Sequence, residues 1–282
     1  MTKVNSGNTF FVLLFAVFFL SGTAVFTQDK NDRQYKKRDF CSSSNYSYNG
    51  KVSYKETREM TMSAGSLLNV DGQRNGGIQI KGENRSDVLI RACVQTMGAT
   101  EQEAQTLAKN IRIETSPNIR AENTPDEPIW GVSYEILVPR STNLKLTAHN
   151  GGISISGVEG TMEFETQNGG VSLNDVAGDV KGKTANGGVS INLAGNSWKG
   201  GGLNVETTNG GVHLSIPETY AAHIETGTVN GGFNSEIGQL NVERNDRSRA
   251  KRLNTNLNGG GAPIRVVTTN GGIKISSSVK NL

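Results

Sequence analysis

The chain has 282 residues, of which 34% are hydrophobic and 35 are glycine, with 29 Lys and Arg against 26 Asp and Glu for a formal net charge of +3. That length and polarity leave room for one elongated unit rather than several globular domains. Two cysteines and three histidines also give little from which to assemble a metal site.

Lys3 is the one charged side chain before the apolar run FFVLLFAVFFL (Phe10–Leu20), which is followed by small residues at Gly22 and Ala24. This pattern predicts a signal peptide over residues 1–24 and an exported protein, in the periplasm, at the cell surface or secreted. An uncleaved anchor over Phe10–Phe26 is the alternative, at the short limit for a membrane span. Cys41 lies too far past the apolar run for a lipoprotein. Residues 25–40 contain the polar stretch QDKNDRQYKKRDF and read as a charged linker. In an exported chain Cys41 and Cys93 are expected to form a disulfide, contributing about 4 kcal/mol through loop-closure entropy.

Residues 41–142 are rich in strand-like segments, among them DVLIRACVQTM and GVSYEILVPR, without a repeat. One helix is predicted within them, where Thr100 and Glu103 form a capping box ahead of an apolar face of Ala104, Leu107 and Ala108. The end of a repeat stack exposes apolar surface and open strand edges, so this segment is expected to be an N-terminal cap. A separate binding domain is the alternative.

Residues 143–282 carry the repeat. Three copies read LKLTAH-NGG-ISIS, MEFETQ-NGG-VSLN and VKGKTA-NGG-VSIN, with Asn at 150, 168 and 186 and hence a period of 18 residues. The tripeptide returns at Asn209, Asn230, Asn258 and Asn270 and has an outlying relative at Asn75. Counting from each Asn, positions −6, −4, +3 and +5 are mostly aliphatic and −2 is usually Thr. Alternation with period two means strands. Near-identical units recurring in one direction imply a parallel stack, in which each unit is too small to fold alone and buries its aliphatics against its neighbours. The expected fold is therefore all-β, a parallel β-solenoid (β-helix). Its corners are Asn150, Asn168, Asn186, Asn209, Asn230 and Asn270; glycine is expected there to supply a positive φ, and the Asn amides to ladder along the axis. A ligand site on that ladder is the functional alternative.

The Thr-x-Asn-Gly-Gly repeat and the stretch LNGGGAPIRVVTTNGGIKI (257–275) resemble a bacterial family of exported β-strand-repeat proteins known as "putative adhesins". The resemblance covers Val52 to the C-terminus. It implies the fold and a role in adhesion, and brings no catalytic motif.

Polysaccharide lyases and hydrolases also occur on β-helices, so the outward carboxylates are the candidates for chemistry. Glu163 and Glu165 would be the acid and base of a carbohydrate-active enzyme. They also alternate with Lys145, Lys181 and Lys183 one strand away, the pattern of a pairing ladder. His149 and His213 fall three coils apart, and His223 is expected in a loop, so no metal or cofactor is predicted. Small polar residues at Ser154, Ser156, Ser172, Asn174, Ser190 and Asn192 give a flat face that can bind glycan or only water.

The expected function is thus non-catalytic, in adhesion or as a cell-envelope scaffold, with the enzyme as the alternative. The segment ERNDRSRAKR (Glu243–Arg252) is expected to be a projecting loop. Its Arg244, Arg247, Arg249, Lys251 and Arg252 would dock on an anionic envelope polymer, glycan or lipid head group, or would only be solvated. Nucleic acid is not expected, because the loop has no aromatic residue for stacking. The last coil, Ile264–Ser278, is expected to leave an open edge that supports end-to-end self-association.

Overall fold

The structure is a computed structural model that describes residues 40–41, 50–126, 129–240 and 251–278. The predicted signal peptide, the linker up to residue 39, and Arg244, Arg247 and Arg249 lie outside the described residues. Among the described residues no helix is long and apolar enough to cross a membrane.

Among the described residues the fold is all-β with one α-helix. The N-terminal part contains β1 (Val52–Ser63), β2 (Leu67–Asp71), β3 (Ile78–Glu83), β4 (Asp87–Gly98), helix α1 (Glu101–Asn110), the short pair β5 (Arg112–Glu114) and β6 (Arg120–Glu122), and β7 (Trp130–Pro139). Then come β8 (Asn143–Ala148), β9 (Ile153–Ser156), β10 (Glu159–Thr166), β11 (Val171–Asn174), β12 (Ala177–Asn186), β13 (Val189–Asn192), β14 (Gly202–Asn209) and β15 (Val212–Pro217). The last strands are β16 (Ala222–Asn230), β17 (Phe233–Ser235), β18 (Lys251–Leu257), β19 (Pro263–Asn270) and β20 (Ile273–Ser278).

Two large sheets result. One runs β1-β4-β7-β3-β9-β11-β13-β15-β20-β17 and the other β18-β16-β19-β14-β12-β10-β8-β2. Each rung of the stack is a strand of the second sheet, an Asn-Gly-Gly, and a strand of the first. Neighbouring rungs are parallel and in register, as in Met162 opposite Val180 and Val171 opposite Val189. The aliphatics predicted to point inward are buried between the sheets, from Leu144, Leu146, Met162 and Phe164 to Ile264, Val266, Ile273 and Ile275.

Two side-chain ladders tie rung to rung at the tripeptide. Asn168 Nδ2 donates to Asn150 Oδ1 at 2.8 Å, Asn186 to Asn168 at 2.8 Å, and Asn209 to Asn186 at 2.8 Å. Buried Thr166, Thr184 and Thr207 donate through Oγ1 to the carbonyls of Gly151, Gly169 and Gly187, each at 2.7 Å. A β-branched Thr suits the strand, and its hydroxyl satisfies a carbonyl that the bend takes out of the backbone ladder.

Several expectations change. The glycines that follow the six predicted corner asparagines have no left-handed φ. The first of each pair is required by close approach instead: a Cβ on Gly169, Gly187 or Gly210 would lie less than 3.0 Å from the carbonyl oxygen of the preceding rung's glycine. Left-handed φ occurs at Asn258, Gly259, Gly260 and Gly261, so the sequence copy at Asn258 is a turn and takes no part in the ladder. Asn75 does take part, since Asn150 Nδ2 donates to Asn75 Oδ1 at 3.1 Å. With β2 pairing to β8 and β3 to β9, the stack begins one rung earlier than residue 143.

The largest correction concerns the C-terminal rung. β19 pairs with β14 on one side and β16 on the other, and β20 lies between β15 and β17. The last rung in sequence is therefore internal, with β19 flanked along both sides and β20 flanked by β17 over Ile273–Ile275, rather than the open last coil expected from the sequence. On the eight-stranded sheet that end is closed by β18, antiparallel to β16.

At the other end β1, β4 and β7 extend the ten-stranded sheet antiparallel. Helix α1 packs on β1 and β4 with Ala104 and Ala108 buried. The capping box forms: Thr100 Oγ1 accepts from Glu103 N at 3.2 Å, and Glu103 Oε2 accepts from Ala99 N at 2.7 Å. Arg58 on β1 closes the helix C-terminus, donating to the Ala108 carbonyl at 2.7 Å and to that of Ile111, where a cation is favoured. The disulfide joins Cys41 to Cys93 on β4, with Cα atoms 5.3 Å apart.

Candidate functional site

Outward side chains form files one strand apart. On the eight-stranded sheet the pairing gives Lys145, Glu163, Lys181, Asn204, Arg265 and Glu225 in one file. The next file is Thr147, Glu165, Lys183, Glu206, Val267 and Gly227, with Arg252 of β18 beyond. Val267 and Gly227 are small where their neighbours are long, and an open depression of about 770 Å³ lies there, lined among others by Lys183, Glu206, Glu225, Arg252, Arg265 and Thr269.

The charges on this face are largely matched. Lys183 Nζ meets Glu165 Oε1 at 3.1 Å. Arg265 bridges three rungs: its Nε donates to Glu225 Oε1 at 3.1 Å, and its Nη1 donates to Asn204 Oδ1 at 2.8 Å and to Glu206. Partial burial opposes the Arg265 charge, but these hydrogen bonds and the fields of Glu206 and Glu225 outweigh it and raise its pKa. Arg252 makes no ion pair among the described residues. The alternation of Glu163 and Glu165 with Lys145, Lys181 and Lys183 is the part of these files read from the sequence. Sequence reasoning missed Arg265 and Glu225 because it stacked the rungs in chain order, although an Arg and a Glu at the same repeat position are themselves a signal for adjacency.

Of the sequence-predicted cations, Lys251 and Arg252 lie in β18 rather than in a loop. Glu163 and Glu165 both point outward, Glu165 tied to Lys183. The histidines stay apart: His213 Nε2 lies 2.9 Å from Ser276 Oγ, and His223, which is in β16 rather than a loop, has Nδ1 2.8 Å from Asn256 Oδ1. Among the described residues no three His, Cys, Asp or Glu side chains are grouped to hold a metal. The small polar file predicted for the other sheet is there, Ser154, Ser172 and Ser190 side by side, and Asn192 Nδ2 donates to Asn174 Oδ1 at 2.8 Å.

That sheet also carries a charged cluster near the cap. Glu135, whose side chain is 8% exposed, accepts from Lys81 and, at 3.2 Å, from Arg91, which also meets Glu59 at 2.9 Å. Burial pushes the Glu135 carboxyl up, and the hydrogen bonds from Lys81 and Arg91 more than reverse this, so its pKa is lowered. A folded pKa below the unfolded one gives stability that is present above the unfolded value and is lost as pH falls through the folded one. Glu135→Gln should accordingly cost about 1–2 kcal/mol at pH 7, less than a fully buried pair because both cations are about one-third exposed. Urea unfolding should show that difference shrinking below about pH 4. An unchanged difference at pH 3 would remove the charge from the explanation.

A family model described as Toastrack DUF4097 matches residues 91–276. No curated protein matches the chain. Among solved structures, the chain is similar to a "putative cell adhesion protein" from Clostridium sporogenes ATCC 15579 at 14% identity and TM-score 0.45, covering 79% of this chain and 100% of that one. It is also similar to a "putative adhesin" from Bacteroides fragilis NCTC 9343 at 10% identity and TM-score 0.29, covering 79% and 97%. A third, from Parabacteroides merdae ATCC 43184, aligns at 10% identity and TM-score 0.26, covering 82% and 98%.

Proposed function

The chain belongs to the Toastrack DUF4097 family, and from that premise we propose that it is an exported envelope or extracellular protein that works non-catalytically, in adhesion or as an envelope scaffold. In this reading it is a parallel β-solenoid whose coils turn at Asn-Gly-Gly. The observation that carries the proposal is the set of outward files, in which charged and amide side chains pair with their counterparts on adjacent rungs. A periodic surface of this kind suits contact with an extended partner more than the activation of a single bond. The Cys41–Cys93 disulfide supports an oxidising compartment.

The partner proposed is an anionic envelope polymer, a lipid head group or acidic glycan, held by Arg244, Arg247, Arg249, Lys251 and Arg252. Arg252 supports this, because it edges the depression and makes no ion pair among the described residues. Changing Arg247, Arg249 and Arg252 together to Ser should weaken binding to anionic vesicles at low salt roughly a hundredfold, at about 1 kcal/mol per cation, with the melting temperature unchanged. Equal binding by parent and triple variant would discard the site. Incubation with bacterial and plant polysaccharides tests the enzyme reading: release of reducing ends or unsaturated products, abolished by Glu165→Gln, would overturn the non-catalytic proposal.

A further inference from the structure

The C-terminal rung, residues 263–278, occupies a slot made by rungs that precede it in the chain. On one side Ile264, Val266 and Thr268 face Leu203, Val205 and Thr207, and on the other they face Ile224, Thr226 and Thr228. The ladders run through it: Asn270 Nδ2 donates to Asn209 Oδ1 at 2.8 Å, and Asn230 Nδ2 donates to Asn270 Oδ1 at 2.8 Å. Thr268 Oγ1 donates to the Gly210 carbonyl and Thr228 Oγ1 to that of Gly271, each at 2.8 Å. Arg265 adds its bonds to Asn204, Glu206 and Glu225. It is Arg265, rather than the repeating ladders, that fits the slot to this segment.

The segment is attached to the rest of the stack through Asn258–Ala262. This turn crosses the chain that leads into β16, with Asn258 Nδ2 donating to the carbonyls of Glu218 at 2.7 Å and Tyr220 at 3.0 Å. Gly259, Gly260 and Gly261 in succession have left-handed φ, a conformation glycine leaves as readily as it adopts. Residues 263–278 are thus joined to the chain before them by one glycine turn, about which they can exchange as a unit.

We propose that the slot between β14–β15 and β16–β17 also accepts residues 263–278 of a second copy of this chain, giving a reciprocally exchanged dimer joined through two glycine hinges. Every ladder bond is remade in the exchanged form, so the two forms differ only in the hinge and in protein concentration. This self-association arises from an internal rung, whereas the end-to-end contact expected from the sequence needed an open last strand.

Ser215 and Ser276 lie opposite each other across the slot, on β15 and β20. Full-length Ser215→Cys and Ser276→Cys chains, mixed one to one, are refolded at increasing concentration with the native disulfide intact and treated with a short bis-maleimide. The expected product is a covalent dimer linking the two variants, its yield rising about tenfold per tenfold concentration while conversion is low. The Ser215→Cys/Ser276→Cys double variant should cross-link within one chain at high dilution. No linkage between variants at any concentration, despite internal linkage in the double variant, would overturn the proposal. So would an equal yield when Ser154→Cys, on a distant rung, replaces Ser215→Cys, or dimers by light scattering that the reagent does not link.

Discussion

Gly187→Ala should cost a large share of the fold's stability, while Gly188→Ala, one residue on, should be nearly silent. A Cβ on Gly187 would sit less than 3.0 Å from the carbonyl of Gly169 in the neighbouring rung. That obstacle is backbone held in a ladder, so it cannot rotate away. Relief requires spreading two rungs and with them the Asn186–Asn168 and Thr184–Gly169 bonds. A loss of about 3 kcal/mol or more is expected, a large share of the roughly 5–15 kcal/mol that holds a typical domain together. At Gly188 the nearest atom to an added Cβ is the Gly211 carbonyl oxygen at 3.4 Å, an ordinary contact, and the change in unfolding free energy should stay within about 1 kcal/mol. Chemical denaturation followed by circular dichroism separates the two. Similar losses at both positions would mean that glycine is needed for backbone conformation after all.

Gly182→Val should be about as damaging as Gly187→Ala, but curable. Gly182 stands at the −4 position, where other repeats carry Leu146, Val205 and Val266, and it faces Phe164 of the preceding rung. The Phe164 ring fills the space of both side chains, so a Cβ on Gly182 would fall less than 3.0 Å from three ring carbons. Phe164→Ala alone should cost about 3–5 kcal/mol through the cavity it leaves, and Gly182→Val alone about 3 kcal/mol or more through overpacking. Together they restore a branched aliphatic to the layer. The double variant should then be better than the sum of the single losses by at least about 2 kcal/mol. Additive losses would show that the ring and the glycine do not share one space.

Much of this architecture is legible in the sequence because it depends on contacts that repeat. Period-two alternation placed Leu144, Phe164, Val189 and Ile275 in the core, where they are buried. The Asn recurrence placed the amide ladder, the capping box placed α1, and the two cysteines expected to pair are joined. Each is a short-range rule whose geometry does not depend on which rung lies next door.

The order of the rungs was settled only in three dimensions, because every rung offers its neighbours nearly the same ladder. Thr207 or Thr228, Asn209 or Asn230, would each serve as a wall for the last rung, so local pairing energy cannot rank one stacking order over another. The choice falls to interactions that do not repeat: β18 covering the outer edge of β16, the glycine turn crossing Tyr220, and Arg265 reaching Glu206 on one side and Glu225 on the other. The same reasoning explains why the demand for glycine was read correctly and its cause was not. A positive φ is a property of one residue and can be guessed from a turn, whereas the close approach of Gly187 to Gly169 exists only once two rungs have stacked.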